Sequence, residues 1–231
     1  MPELLLVLVG ACQKGWIPPT SLSFIAVGGS KVDARLLKAA QVFGLPVYQG
    51  YGLSECASVV ALNTPANENL LSAGKILPHN NVHVENGELV VTGNTFLGYL
   101  GDPESWYPDK VYTGDIARLD KGYLFIEGRS KNILINSFGR NISPEWPESL
   151  LMASGAFRQS FVFGDGKPSL IALVNPINQM TSSEQQQVIN SINQQLPDYA
   201  RIKHVLTLAS PLTPESGLVT ENFRPRRAAI Y

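Results

Sequence analysis

The fold class is decided by residues 21–48, SLSFIAVGGSKVDARLLKAAQVFGLPVY. The apolar run 21–27 predicts a buried strand that ends at Gly28 and Gly29. Asp33 is placed to cap a helix that continues to about Phe43, and residues 45–48 predict a second short strand. Strand, glycine turn, helix and strand form one βαβ unit. Such a unit requires a parallel sheet, with a ligand crevice at the carboxyl ends of its strands.

Beyond this unit the apolar residues alternate, which is typical of antiparallel strands. Residues 82–84 and 89–91 predict a hairpin around Asn86 and Gly87, and residues 111–112 and 123–126 continue the set. After Arg129 the pattern predicts a strand at 133–135, a helix at 144–152, a hairpin at 160–174 and a polar helix at 183–196. The predicted fold is therefore α/β plus α+β: a partial βαβ layer with a small β-barrel or sheet in residues 1–128, then a compact α+β domain in residues 129–231.

Composition is that of an ordinary globular protein. The 231 residues include 18 Lys and Arg against 19 Asp and Glu, so no basic excess points to nucleic acid. Two cysteines form neither a disulfide framework nor a metal-ligand spacing, which makes a cytoplasmic location the default expectation.

The apolar start of the chain, residues 4–12, resembles a short export signal. However, Glu3 stands where such a signal carries positive charge. We expect instead an amphipathic or buried helix at a domain edge. No stretch approaches the ~20 apolar residues of a membrane span.

Two motifs that follow predicted strands carry chemistry. Gly28-Gly29-Ser30 allows backbone to approach a flat ligand, or is a tight turn; its spacing is not that of a dinucleotide fingerprint. Tyr51-Gly52-Leu53-Ser54-Glu55 sets an aromatic ring, a hydroxyl and a carboxylate on one turn, which suit a purine, a phosphate and Mg²⁺. The alternative is a core tyrosine, with Ser54 capping a helix and Glu55 in its first turn.

Two further residues could bind a sugar. Asp115, at the end of Tyr112-Thr113-Gly114-Asp115, is a carboxylate able to accept hydrogen bonds from a ribose diol, although Thr-Gly-Asp alone is most often a simple turn. Arg129 follows another predicted strand and can donate to the same sugar or to a phosphate. A solvated or salt-bridged arginine is the alternative for this position.

These motifs occur in fixed order together with Gly128-Arg129-Ser130-Lys131-Asn132 and the loop 139–145, GRNISPE. In that order they resemble the downstream half of the AMP-forming acyl-activating superfamily, which includes acyl-CoA synthetases, luciferases and nonribosomal adenylation domains. The likeness is strongest to long-chain fatty acyl-CoA ligases. It implies that residues 1–128 are the C-terminal part of a large adenylation domain and that residues 129–231 are a small mobile domain.

The resemblance also assigns roles. It implies that Tyr51 stacks on adenine, Ser54 contacts phosphate, Glu55 helps to bind Mg²⁺, Lys131 marks the hinge of the small domain and Gly139 lines the pantetheine channel. The positions that it places around ATP or AMP and CoA are Gly28, Gly29, Ser30, Tyr51, Gly52, Ser54, Asp115, Arg129 and Gly139.

The implied activity is that of an acid–thiol ligase. A carboxylic acid, expected to be a fatty acid, attacks the α-phosphate of ATP, and the thiol of CoA or of a carrier protein then displaces AMP. Two departures from the family pattern lead us to expect impaired activity. The Gly- and Ser/Thr-rich phosphate loop lies upstream of the matched region, which suggests a missing N-terminal half as a partner. Arg224, within GLVTENFR at 217–224, stands in the position of the catalytic lysine.

Two alternatives remain open from the sequence. A noncatalytic AMP-binding or interaction module would keep the nucleotide pocket and pair with another chain. An unrelated α/β oxidoreductase is disfavoured because the dinucleotide fingerprint is absent. The basic cluster at 224–227 is interpreted as a solvated tail rather than an anion site.

Overall fold

The computed structural model describes residues 2–230, apart from the side chain of Glu3. The chain divides into two compact units, Met1–Asn132 and Ile133–Tyr231. The functional domain boundary expected between residues 128 and 129 stays a prediction.

The first unit begins with the predicted βαβ arrangement. Its elements are α1 (Pro2–Gln13), β1 (Ile25–Val27), α2 (Ala34–Val42) and β2 (Val47–Tyr51). Strands β1 and β2 pair in parallel. The Asp33 side chain accepts a hydrogen bond from the Arg35 backbone N–H at 2.9 Å, and so caps α2 as predicted.

Helix α1 is the edge helix expected from the apolar start of the chain. Leu5, Val9 and Cys12 are buried in the cluster that contains α2, whereas Leu4 and Val7 are exposed. Among residues 2–230, no helix combines the length and the apolar character needed to cross a membrane.

The remaining strands of this unit extend the same sheet. They are β3 (Ala61–Leu62), β4 (Lys75–Ile76), β5 (Asn81–Glu85), β6 (Glu88–Thr92), β7 (Lys110–Asp120) and β8 (Tyr123–Arg129). Every pairing after β2 is antiparallel, and the order is β1-β2-β3-β4-β8-β7-β6-β5. The predicted hairpin turns at Asn86 and Gly87, whose φ angles of 52° and 85° suit a two-residue loop.

The α/β class is confirmed, but the β-barrel part of the prediction is wrong for the described residues. A barrel closes only when its first and last strands pair, and β1 and β5 lie at opposite ends of this sheet. Strands β3 and β4, which join the βαβ unit to the hairpins, have two residues each. They are too short for the tilted, staggered pairing that closure requires.

The second unit has the predicted α+β arrangement. Its elements are β9 (Leu134–Ile135), β10 (Asn141–Ile142), α3 (Glu145–Ala153), β11 (Phe157–Phe163), β12 (Leu170–Pro176), α4 (Ser182–Asn193), β13 (Ile202–Thr207) and α5 (Arg227–Ile230). Strands β11 and β12 form the predicted hairpin, and β13, which the sequence pattern did not reveal, adds in parallel to β12. Helix α4 makes the crossover between these parallel strands. It begins with a capping box formed by Thr181 and Glu184.

Candidate nucleotide-binding site

Three predicted site residues lie together in the first unit. The Tyr51 hydroxyl donates a hydrogen bond to Asp115 Oδ2 at 2.6 Å. Arg129 Nε lies 3.6 Å from Asp115 Oδ1. An aromatic ring, a carboxylate and a guanidinium that are distant in sequence therefore form one polar group at the ends of β2 and β8.

A bulge in β7 presents Asp115. Glu88 of β6 pairs with Ile116 and Val90 pairs with Tyr112, so that residues 113–115 lie opposite a single residue of β6. The Gly114 N–H donates to the Glu88 side chain at 2.7 Å, and the φ angle of Gly114 is 72°. The Thr-Gly-Asp triplet is thus a bulge within a strand, a feature that commonly re-aims a side chain near functional sites.

Thr113 and Arg129 complete this local framework. The buried Thr113 hydroxyl donates to the Leu89 carbonyl at 2.9 Å and accepts from the Asp115 N–H at 3.1 Å. Arg129 Nη2 donates to the Thr113 carbonyl at 3.0 Å. Arg129 Nε is buried and forms no hydrogen bond within the described part of the chain. The Arg129 guanidinium thus lies beside one oxygen of the Asp115 carboxylate, and the Tyr51 hydroxyl holds the other.

Electrostatics keep Tyr51 protonated. Burial, followed by the charge of Asp115 and the hydrogen bond to it, raises the pKa of Tyr51 far above its ordinary value. The hydroxyl therefore remains a donor to Asp115 at physiological pH. Tyr51 also packs against the core cluster of the unit, so the interpretation as a core tyrosine is correct for part of the side chain.

Glu55 has a different partner. It lies in the short 3-10 helix Ser54–Cys56, and its Oε1 accepts a hydrogen bond from the Tyr99 hydroxyl at 2.8 Å. The bond to Glu55 raises the pKa of Tyr99, while the charge of Arg129 acts in the opposite direction on both Tyr99 and Tyr51. The sequence did not reveal Tyr99 as the partner of Glu55, because no local motif marks it.

Ser54 does not cap this helix with its side chain. The helix begins at Ser54 itself, and the residue before it is Leu53. Because Leu53 occupies the capping position, the alternative of a structural capping serine is wrong. Ser54 is exposed, and its phosphate contact stays a prediction.

The glycines of the site are required by close backbone approach. A Cβ at Gly28 would lie 3.0 Å from the Gly50 carbonyl oxygen of β2, and Gly29 has a φ of 88°. A Cβ at Gly52 would lie 1.6 Å from the Ser58 carbonyl oxygen. Packing thus explains these glycines without a ligand, and their contact with a nucleotide, like that of Ser30, stays a prediction.

In the second unit, Gly139 lies in a turn that is organised by the buried Asn136. The Asn136 Oδ1 atom accepts from the N–H groups of Phe138 and Arg140 at 3.0 and 2.9 Å, and Gly139 has a φ of 71°. Asn136 was not predicted, because an isolated asparagine carries no chemical signal. The channel role of Gly139 stays a prediction.

Arg224 lies in a short exposed turn. Its N–H donates to the Thr220 hydroxyl at 3.2 Å, and its carbonyl accepts from the Thr220 N–H at 2.9 Å. Lys131 is exposed in the 3-10 helix Ser130–Asn132. The catalytic position of Arg224 and the hinge role of Lys131 stay predictions.

The interpretation of residues 224–227 as a solvated tail is wrong for Arg227. Its Nη2 atom lies 2.8 and 3.0 Å from the two carboxylate oxygens of Glu148, and Nη1 donates to the Val162 carbonyl at 2.8 Å. This arginine anchors the end of the chain to α3 and β11.

Among residues 2–230, no group of three or more His, Cys, Asp and Glu side chains could hold a metal ion alone. Mg²⁺ is commonly held by one or two carboxylates together with phosphate oxygens. Glu55, a half-exposed carboxylate four residues after Tyr51, fits that mode of binding.

Comparison with known proteins identifies the family. Residues 3–100 match the family model described as AMP-binding enzyme, and residues 131–222 match that of the AMP-binding enzyme C-terminal domain. The chain belongs to the AMP-binding enzyme family. The acyl-activating resemblance of the sequence motifs is thereby confirmed.

Relatives with curated names include fatty-acid ligases. The long-chain-fatty-acid–CoA ligase FadD15 of Mycobacterium bovis is 35% identical over 154 residues, which cover 64% of this chain and 26% of that protein. Fatty acyl-CoA synthetase A of Dictyostelium discoideum is 28% identical over 260 residues, covering 90% of this chain and 39% of that protein. The chain therefore spans well under half the length of these two relatives.

A solved structure shares the fold. The O-succinylbenzoate coenzyme A synthetase of Bacillus subtilis, in complex with AMP, superposes with a TM-score of 0.78 at 24% identity. The match covers 98% of this chain and 49% of that chain. At this level of identity the likeness supports the fold.

Proposed function

We propose that this chain contributes the AMP-binding portion of an ATP-dependent acyl-CoA synthetase. In the first half-reaction, a carboxylate oxygen bonds to the α-phosphorus of ATP, and the bond to pyrophosphate breaks. In the second, the sulfur of the acceptor thiol bonds to the acyl carbon, the bond to AMP breaks, and the thiol proton passes to solvent. The products are the thioester, AMP and pyrophosphate.

The observation that carries the proposal is the Tyr51–Asp115–Arg129 group. Asp115 is presented by a bulge and held by the Tyr51 hydroxyl at 2.6 Å, so its carboxylate is oriented before a ligand arrives. In the proposal, Asp115 accepts hydrogen bonds from the ribose hydroxyls, and the Arg129 guanidinium binds the same sugar. The Tyr51 ring lies beside the adenine, with Gly28, Gly29 and Gly52 allowing backbone to come close.

Glu55 and Ser54 face the phosphates in this proposal. Bound Mg²⁺ would neutralise phosphate charge, and the Glu55 carboxylate is the group of this chain that would hold it. The Ser54 hydroxyl, which is exposed, would donate to a phosphate oxygen.

The small-domain residues have proposed roles in the second half-reaction. Lys131 would serve as the pivot near the proposed boundary at 128 and 129, and Gly139 would line the path of the acceptor's pantetheine. Arg224 would supply a positive charge at the position of the family's catalytic lysine. Because a guanidinium is broader than an ammonium, we expect slower adenylation than a lysine would give.

The acid substrate is proposed to be a fatty acid and the acceptor to be CoA or a carrier-protein thiol. Two relatives, the long-chain-fatty-acid–CoA ligase FadD15 and fatty acyl-CoA synthetase A, support this assignment by their names.

Calorimetric titration with AMP tests the nucleotide site. Asp115→Asn removes the charge that would hold the ribose, so affinity should fall about tenfold to a hundredfold, as for a charge-assisted hydrogen bond. Asp120→Asn is the matched control, since Asp120 is an exposed carboxylate of the same strand. Absence of AMP binding by the wild-type chain, or equal affinities of Asp115→Asn and wild type, would overturn the proposal.

ATP–pyrophosphate exchange in the presence of a fatty acid then separates catalysis from simple binding. Exchange by the chain supports the synthetase. AMP binding without exchange supports the noncatalytic nucleotide-binding module. Arg224 favours this alternative, because in the resemblance it stands at the position of the catalytic lysine.

A further inference from the structure

The loop formed by residues 95–108 holds Tyr99 in a fixed position. The Tyr99 N–H donates to the Ser105 hydroxyl at 2.8 Å, and the Tyr99 carbonyl accepts from Trp106 Nε1 at 3.0 Å. Both backbone groups of Tyr99 are therefore bound by side chains of the same loop.

Close packing fixes the loop further. Gly98 has a φ of 141°, and a Cβ at this position would lie 2.4 Å from Trp106 Cδ1. The Tyr107 N–H donates to the Leu97 carbonyl at 2.8 Å, and the Thr95 hydroxyl donates to the Pro108 carbonyl at 2.9 Å. The two sides of the loop are thus joined at its base and just above it.

The 95–108 loop contacts Glu55 at two points. The Phe96 N–H donates to the Glu55 carbonyl at 2.8 Å, and the Tyr99 hydroxyl donates to Glu55 Oε1 at 2.8 Å. The rings of Phe96 and Tyr99 meet edge to face, with centroids 4.8 Å apart. Backbone and side chain of Glu55 are consequently both held by one segment that lies more than forty residues further along the chain.

We propose that Tyr99 is a positioning residue that orients the Glu55 carboxylate for a divalent cation bound together with nucleotide phosphates. This inference rests on the proposed function, in which Glu55 holds the cation. The phenol occupies Oε1 and adds no charge, so Oε2 keeps its negative character in a fixed direction. Mg²⁺ requires near-ideal octahedral geometry, and partners that orient a metal-binding carboxylate commonly determine its affinity.

A competing role for Tyr99 predicts the opposite change in cation affinity when the hydroxyl is removed. If the Tyr99 hydroxyl blocked Glu55 and had to leave before the cation could bind, its removal would strengthen cation binding. The edge-to-face contact with Phe96 argues against displacement, because it holds the Tyr99 ring independently of Glu55.

The test compares Tyr99→Phe with wild type and with Tyr107→Phe, which removes an exposed phenol from the same loop. Calorimetry measures the affinity for AMP without metal, for ATP with EDTA and for ATP with Mg²⁺. The ratio of the last two affinities is the magnesium gain. In Tyr99→Phe we expect this gain to fall about tenfold, the lower end of the effect of such orienting partners, while the AMP affinity stays within about twofold. Tyr107→Phe should change neither quantity.

The two proposals fail in different ways. No AMP binding by wild type overturns the nucleotide site and this inference with it. AMP binding without a magnesium gain in wild type, or an unchanged or larger gain in Tyr99→Phe, overturns the role of Tyr99 alone. Equal losses in AMP affinity and magnesium gain would mark Tyr99 as a merely structural residue and would also refute the inference.

Discussion

Replacement of Arg227 by methionine tests what holds the end of the chain to the second unit. The Arg227 guanidinium binds both carboxylate oxygens of Glu148 and the Val162 carbonyl, and the Val162 N–H donates to Glu148 Oε1 at 2.7 Å. The two charged side chains are only 13% and 14% exposed. Methionine keeps most of the apolar volume but leaves Glu148 without its cation.

The expected cost is about 3 kcal/mol in the free energy of unfolding at pH 8. Removing one partner of a buried ion pair typically costs about 3–5 kcal/mol, because the other charge remains buried. We take the lower end because Glu148 keeps its bond from the Val162 N–H.

The cost should depend on pH. Burial raises the pKa of Glu148 to about 7, while the positive charge of Arg227 opposes that rise. Without Arg227 the pKa should be higher still. A carboxyl group whose pKa is raised on folding stabilises the protein below its unfolded value of about 4.3, and this stabilisation is lost as the pH rises through the folded value. At pH 6 the variant can protonate Glu148, so the cost should be about 1–2 kcal/mol smaller than at pH 8.

Urea denaturation measures these free energies. Trp146 packs against the core of the second unit and reports on it once Trp16 and Trp106 are replaced by phenylalanine. Arg201→Met is the control, since Arg201 pairs with an exposed aspartate three residues away, and should cost less than about 1 kcal/mol. A cost below about 1 kcal/mol for Arg227→Met at pH 8, or equal costs at pH 6 and pH 8, would refute the reasoning.

Three further outcomes are expected. Gly52→Ala should lower the free energy of unfolding of the first unit by more than about 3 kcal/mol, because the added Cβ would lie 1.6 Å from the Ser58 carbonyl oxygen. In a thermal melt, an unchanged melting temperature relative to wild type would contradict this packing. Lys121→Asn should stabilise the β7–β8 hairpin by about 0.5–1 kcal/mol in urea denaturation, because Lys121 has a φ of 50° that asparagine tolerates better. Asn86→Lys should destabilise the β5–β6 hairpin by a similar amount, because it places lysine at a φ of 52°. Burial raises the pKa of Cys56 to about 11, so alkylation of the native chain at pH 8, followed by mass spectrometry, should be at least about a hundredfold slower at Cys56 than in urea; equal rates would show that the thiol is accessible.

Local sequence was sufficient for the elements and their class. Asp33 before a helical pattern and Asn86-Gly87 between alternating apolar residues specify backbone conformations within a few residues, and the structure has a helix and a hairpin there. The motif order was likewise sufficient to predict the family, because each motif lies on one short segment.

Contacts between distant segments were decided by the tertiary structure. Tyr51 and Asp115 are 64 residues apart, Tyr99 and Glu55 are 44 apart, and Glu148 and Arg227 are 79 apart. No local pattern distinguishes these side chains from solvated ones, since a hydrogen bond depends on the distance and angle between two groups. The open sheet has the same origin: alternation predicted its strands, but closure depends on whether β1 and β5 meet, and that is settled only when the whole sheet has been assembled.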